Sequence, residues 1–78
     1  MTKVYFPTNL VYLRKARKMS QRDLGKVLGK SYNAIYKWEN GLTEPCIAEV
    51  GFLAEFFDVP VETLLFDDIT TSDIVVSR

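Results

Sequence analysis

The chain has 78 residues, 47% of them hydrophobic, and its ten basic and ten acidic side chains cancel. This length suits one small domain, and without a secretion signal or an apolar run of about 18 residues we expect a cytoplasmic protein with no membrane span. Histidine is absent and Cys46 is the single cysteine, so we expect no metal, no cofactor and no enzyme activity.

An amphipathic first helix is predicted near the N-terminus. It begins at Pro7 or Thr8 and ends near Lys18. In the segment TNLVYLRKARKM, apolar residues recur every three positions among basic ones and are expected to face inward: Leu10, Leu13, Ala16 and Met19.

Two shorter helices follow. Ser20 precedes QRDLGKVL and Ser31 precedes residues 32–40, and both serines are suitable N-caps. Gly29 suits the left-handed position that ends the second helix, and Gly41 ends the third. The two helices therefore meet across a three-residue turn, and their inward-facing residues are Leu24, Leu28, Ile35 and Trp38.

Two more helices are predicted after Pro45. The fourth covers about residues 46–57, with an inner stripe of Ile47, Val50, Leu53, Ala54 and Phe57. DVPVETLLF predicts a turn and a short fifth helix that returns Val59, Leu64 and Leu65 to the core. The expected architecture is an all-α, five-helix domain at residues 1–68, followed by a C-terminal tail or arm at 69–78.

Charge is divided unevenly along the chain. Residues 1–40 carry nine basic and two acidic side chains, a net charge of +7, whereas residues 41–78 carry one basic and eight acidic, a net charge of −7. One interpretation is a basic face for a polyanion with an acidic face turned away from it. The other is a pair of solvated surfaces that attract each other.

The segment LRKARKMSQRDLGKVLGKSYNAIYKWENG, with the later P-x-I-x-x-V-x-x-L-A, resembles the Cro/C1-type helix-turn-helix family of small phage and bacterial repressors. The likeness covers about residues 10–65. It implies a compact lambda-repressor-like domain that binds a double-stranded DNA operator as a transcriptional regulator, expected to be a repressor. The third helix would lie in the major groove.

The resemblance also implies roles for particular residues. Positions matching Tyr32, Asn33 and Lys37 face base edges, where asparagine suits adenine, lysine suits guanine and a tyrosine ring suits the thymine methyl group. Phosphate contacts are expected from Gln21, Asn40, Arg14, Lys30 and Tyr36. Lys30 stands where the family more often has Val, Ile or Thr. An amphipathic surface or subunit-contact role stays open for Tyr32 and Tyr36. A solvated role stays open for Gln21 and Lys30.

An ion pair and a glycine are expected to support the third helix. The family pairs the residues matching Arg14 and Glu39, and an unpaired Glu39 would repel phosphate. Gly25 is predicted where two helix axes approach most closely, so that a side chain larger than a methyl group would displace the third helix. Lys18 stands where the family often has glycine, at the end of the first helix.

We expect a homodimer on DNA, because family members place two such helices in successive major grooves about 34 Å apart. The candidate dimer surface is Phe52, Phe56 and Phe66, extended by Ile69 and the DIVV segment at 73–76. Alternatively, Val4 to Phe6 or the tail covers these rings within one chain. A different class of function also stays open, a protein-binding module on the same fold, such as an antirepressor or antitoxin.

Overall fold

A computed structural model describes residues 3–70, and within them the chain forms five α-helices and no strand. The helices are α1 (Phe6–Ala16), α2 (Gln21–Leu28), α3 (Tyr32–Glu39), α4 (Ile47–Phe57) and α5 (Val61–Phe66). The all-α, five-helix prediction is confirmed. α2 packs chiefly on α3, α1 contacts both α3 and α5, and α4 packs on α5. None of these five helices is long and apolar enough to cross a membrane.

Both ends of α2 and the start of α3 lie where the sequence predicts them, and α3 ends at Glu39, one residue before the predicted end. The Ser20 hydroxyl accepts the N–H of Asp23 at 2.9 Å, and the Asp23 carboxylate accepts the N–H of Ser20 at 2.9 Å. Ser31 caps α3 by accepting the N–H of Ala34 at 3.3 Å. Gly29 has a left-handed φ of 70°. These local bonds fix the length of the turn between the two helices.

α1 ends at Ala16, two residues before the predicted end, and Lys18 takes a left-handed φ of 58°. A non-glycine residue in this conformation costs roughly 1–2 kcal/mol, because its Cβ crowds the backbone. The turn is nevertheless well bonded. The N–H of Lys18 donates to the carbonyl of Lys15 at 2.9 Å, and the N–H of Met19 donates to that of Arg14 at 3.1 Å.

Buried apolar side chains from all five helices form one cluster. Its members are Phe6, Leu10, Leu24, Ile35, Trp38, Val50, Leu53, Ala54, Phe57 and Leu64. Phe6 meets Trp38 edge-on, with 6.3 Å between ring centroids. Because Ile35 and Trp38 are buried on one side of α3, the opposite side of that helix faces outward.

Two apolar residues that were predicted to face inward are exposed. Ala16 is exposed because three residues advance a helix by about 300°, so a repeated spacing of three drifts away from the buried side. Ile47 is 91% exposed. It is the first residue of α4, and it borders an open groove.

A buried polar residue that the sequence analysis did not identify connects α1 to the end of α5. Asn9 is fully buried, and its Nδ2 donates to the carbonyls of Leu64 at 2.8 Å and Asp67 at 2.7 Å. Its Oδ1 accepts the N–H of Ile69 at 3.3 Å. These bonds satisfy backbone groups that the end of a helix leaves without partners.

Ile69 belongs to the packed domain, although the predicted domain limit was residue 68. Its side chain is 5% exposed, and its N–H is bound by Asn9. It is therefore unavailable for the dimer surface in which it was expected. The DIVV segment lies outside the described residues.

Candidate nucleic-acid interface

The angle between α2 and α3 depends on Gly25. This residue is buried, and a Cβ there would lie 2.6 Å from the carbonyl oxygen of Lys30 and 3.3 Å from the backbone of Ser31. The N–H of Lys30 donates to the Gly25 carbonyl at 2.8 Å. The predicted close approach is therefore confirmed, but the predicted limit was wrong, because even a methyl group would be too close to this turn. α3 follows directly from a turn that touches the backbone of α2.

A hydrogen-bonded group of Arg14, Gln21 and Glu39, called here the Glu39 cluster, supports α3 from beneath. Arg14 donates to both carboxylate oxygens of Glu39, from Nε at 2.6 Å and from Nη2 at 2.9 Å. Its Nη1 donates to the carbonyl of Met19 at 2.8 Å. Gln21 Nε2 donates to Glu39 Oε1 at 2.9 Å. The cluster joins α1, α2 and α3.

The predicted ion pair between Arg14 and Glu39 is confirmed. Hydrogen bonding to Glu39 raises the pKa of Arg14 above its ordinary value, so the guanidinium stays charged although it is partly desolvated. Arg14 is only 8% exposed. Little of its guanidinium is therefore available to a molecule that approaches from outside.

The three predicted base-contacting residues lie together on the outward side of α3. Tyr32 is 49% exposed, and Asn33 and Lys37 are exposed. The guanidinium of Arg22, in α2, lies over the Tyr32 ring at 4.9 Å from its centroid. Within residues 3–70, no side-chain hydrogen bond or ion pair involves Asn33 or Lys37. Their polar groups are available to a ligand.

Most of the predicted phosphate-contacting residues, in contrast, are already engaged within the protein. Asn40 Nδ2 donates to the carbonyl of Tyr36 at 2.8 Å. Lys30 Nζ forms an ion pair with Glu49 Oε2 at 2.8 Å. Arg14 and Gln21 belong to the Glu39 cluster. Tyr36 is 46% exposed, and its hydroxyl group makes no hydrogen bond within the described residues.

The ion pair of Lys30 with Glu49 joins the turn between α2 and α3 to the start of α4. Glu49 Oε1 also accepts the N–H of Cys46 at 2.8 Å. Hydrogen bonds from Lys30 and from the Cys46 N–H lower the pKa of Glu49, and Glu49 raises the pKa of Lys30. Both groups are therefore charged at neutral pH. No local sequence signal indicates this pair, because 19 positions separate Lys30 from Glu49.

The predicted dimer surface is divided between two sides of α4. The rings of Phe52 and Phe56 stack with 6.0 Å between centroids, and Phe52 is 41% exposed. The guanidinium of Arg17 lies 5.0 Å from the Phe56 centroid. This contact covers part of Phe56 from within the chain and leaves Phe52 more open.

Phe66 borders a groove of ≈ 580 Å³ between α4, α5 and the N-terminal segment, called here the α4–α5 groove. Ile47 and Gly51 line this groove, and Phe52 does not. Successive residues of a helix point about 100° apart, so Gly51 and Phe52 face different directions. Val4 also lines this groove. The N-terminal segment thus lies near Phe66 rather than over the Phe52 and Phe56 rings.

Two helices that meet across a tight glycine turn, with the second presenting exposed polar residues, constitute a helix-turn-helix. A family model described as Helix-turn-helix matches residues 10–64. The chain belongs to this family, the Cro/C1-type class of DNA-binding regulators.

No curated protein sequence matches the chain. Among solved structures, the chain is similar to the crystal structure of a transcriptional regulator from Listeria innocua, with a TM-score of 0.77 and 20% sequence identity. The similarity covers 96% of this chain and 76% of the other. At 20% identity, this similarity indicates a shared fold and nothing further.

Proposed function

We propose that this protein represses transcription by binding a specific double-stranded DNA site, with the outward side of α3 in the major groove. The observation that carries the proposal is the polar outward side of α3, on which Asn33 and Lys37 are exposed and have no side-chain partner among residues 3–70. An α-helix fits the major groove, where Asn33 suits adenine N6 and N7, Lys37 suits guanine, and Tyr32 suits a thymine methyl group.

The proposed phosphate contacts use donors that remain after the internal bonds are made. Gln21 and Asn40 each have a second amide hydrogen, and the Lys30 ammonium has three hydrogens, of which Glu49 needs one. Arg14 differs, because it is buried and three of its nitrogens are bonded. We therefore assign Arg14 to positioning Glu39 and Gln21 instead of direct phosphate contact.

We propose that the protein binds this DNA as a homodimer, since two modules on a two-fold site give the affinity that one module lacks. Apolar residues on both sides of α4 are available for the subunit contact. Phe52 with Phe56 forms one candidate surface, and Phe66 in the α4–α5 groove forms the other. Analytical ultracentrifugation of the Phe52→Ser and Phe66→Ser variants identifies the surface, because the substitution that lies in the subunit contact should make the protein monomeric.

The proposed function is tested by selecting duplexes from a random library with the purified protein. We expect a two-fold symmetric site. Asn33→Ala should weaken binding to that site by roughly 1–3 kcal/mol and binding to random DNA far less. The matched control is Lys15→Ala, which removes an exposed charge from α1 and should leave the sequence preference intact. Equal losses on both DNAs with Asn33→Ala, or the absence of any selected site, would contradict the proposal.

The α4–α5 groove favours a second candidate function, the binding of another protein as an antirepressor or antitoxin. Ile47 and Phe66 at this groove are exposed apolar residues of the kind that mark protein contacts. A salt titration separates the two functions. DNA affinity should fall steeply and linearly on a log–log plot, whereas binding through an apolar groove should change little.

A further inference from the structure

The aromatic ring at the start of α3 is held by a residue from α2. The Arg22 guanidinium lies 4.9 Å from the centroid of the Tyr32 ring. Arg22 is the second residue of α2 and Tyr32 the first of α3, so the contact bridges the N-terminal ends of both helices. Unpaired backbone N–H groups give such ends a positive potential. The first turn of α2 carries the Asp23 carboxylate, whereas the first turn of α3 carries no acidic residue, so a phosphate is electrostatically favoured on the α3 side of the contact.

The contact with the Tyr32 ring leaves the hydrogen-bonding capacity of Arg22 unused. A guanidinium stacks through its flat face, while its five N–H groups point outward in its plane. Within the described residues, no hydrogen bond or ion pair uses these groups. Arg22 can therefore hold the ring and donate to an anion at the same time.

The contact differs from the other arginine–aromatic contact of the domain. Arg17 lies over Phe56 and Phe57, of which Phe57 is a core residue. The ring under Arg22, by comparison, is half exposed and lies on the outward side of α3. A cation–π contact at such an exposed place adds little to folding. Its main effect is to restrict the orientation of the Tyr32 ring before a ligand arrives, so that less side-chain entropy is lost on binding.

We infer that Arg22 and Tyr32 act as one unit that recognises a pyrimidine 5-methyl group beside a phosphate. Arg22 is a positioning residue that holds the Tyr32 ring against the methyl group in the major groove, while its N–H groups donate to the adjacent phosphate. The methyl group of thymine projects into that groove and is a known apolar contact there. This inference rests on the proposed function, and it adds the base feature that the start of α3 distinguishes.

The inference is tested with the DNA site that the wild-type protein selects. Each thymine of one half-site is replaced in turn by deoxyuridine, which removes only the methyl group. At one thymine, we expect wild-type binding to weaken by about 4-fold, the effect of one buried carbon. In Arg22→Gln and in Tyr32→Ala, the ratio of thymine to uracil affinity at that position should fall to about 1, and combining the two substitutions should change the ratio no further.

Lys26→Gln is the matched control for lost charge. Lys26 is an exposed cation on the same helix without a ring contact, so its replacement should weaken binding to all duplexes equally and preserve the thymine-to-uracil ratio. Arg22→Lys keeps the charge but not the planar face, and it should lower the ratio with less than about 2-fold change on random DNA.

A measurement without DNA tests the contact between Arg22 and the Tyr32 ring directly. In the NMR spectrum of the free protein, the Arg22 side-chain protons should be shifted upfield by the Tyr32 ring, and Tyr32→Leu should abolish the shift. Absence of this shift in the wild type would overturn the inference, as would an unchanged thymine-to-uracil ratio in both Arg22 variants. These two results leave the proposed function standing, whereas failure of the wild type to select any DNA site overturns both.

Discussion

Replacing Gly25 with alanine places one methyl group between α2 and the turn that leads into α3. The added carbon would lie 2.6 Å from the Lys30 carbonyl oxygen, whereas ordinary contact begins at 3.4 Å. The turn would therefore have to move by the difference, about 0.8 Å. Because the obstructing atoms belong to the backbone, no side-chain rotation relieves the contact.

The expected change in the free energy of unfolding on Gly25→Ala follows from two opposing effects. Overpacking of this kind costs typically 1–3 kcal/mol, whereas alanine is favoured over glycine within a helix by about 1 kcal/mol. We expect a net loss of up to about 2 kcal/mol in the free energy of unfolding, and each kcal/mol lowers the Tm of so small a domain by about 4–8 °C. Gly51→Ala is the matched control, because its new Cβ meets nothing within 4 Å. That variant should gain about 0.5–1 kcal/mol.

Urea and thermal denaturation followed by far-UV circular dichroism measure both variants under the same conditions. Gly25→Ala should also weaken binding to the selected DNA site more than to random DNA, because α3 is displaced from its angle. The reasoning is refuted if Gly25→Ala is as stable as Gly51→Ala. A Gly25→Ala protein with reduced stability and unchanged DNA preference would show that this contact does not set the position of α3.

Three further predictions concern stability. Asn9→Leu should cost at least about 1–3 kcal/mol in urea denaturation, because it leaves the buried carbonyl of Leu64 without its donor; an unchanged midpoint would contradict this. Lys18→Gly should gain about 0.5–1 kcal/mol by relieving the left-handed backbone, whereas Lys18→Ala should gain nothing. The pKa of Glu49 is lowered from 4.5 on folding, chiefly by the hydrogen bond from Lys30. The contribution of the charged Glu49 to the free energy of unfolding is therefore complete above about pH 4.5 and is lost as the pH falls. The Tm of the wild type should therefore fall more steeply than that of Glu49→Gln between about pH 6 and pH 3, and parallel curves would exclude this role for the pair.

Features that depend on neighbouring residues could be predicted from the sequence. Ser20, Ser31 and Gly29 act through the backbone of residues within three or four positions, and each lies where its residue type predicts. The pairing of Arg14 with Glu39 spans 25 positions, and only the family resemblance indicated it. Local signals in the sequence therefore predicted the helices, whereas the contact between distant helices was predicted from the family resemblance.

Features that depend on distant backbone atoms could not be predicted. Asn9 binds the carbonyls of Leu64 and Asp67, 55 and 58 positions away, and a side chain that bonds to a backbone group requires no particular residue type there. Similarly, the separation of Phe66 from Phe52 depends on how α5 packs on α4. A helical pattern indicates which side of one helix is buried, but not which part of another helix lies beside it.

The two sides of α3 have separate roles. The inward side is fixed by two core residues and by the Glu39 cluster. The outward side carries residues that are all exposed: Tyr32, Asn33, Tyr36 and Lys37. Exposed substitutions usually change stability by no more than about 0.5 kcal/mol. These four codons can consequently be randomised together while the scaffold keeps its shape, which makes the domain a platform for selecting new binding preferences.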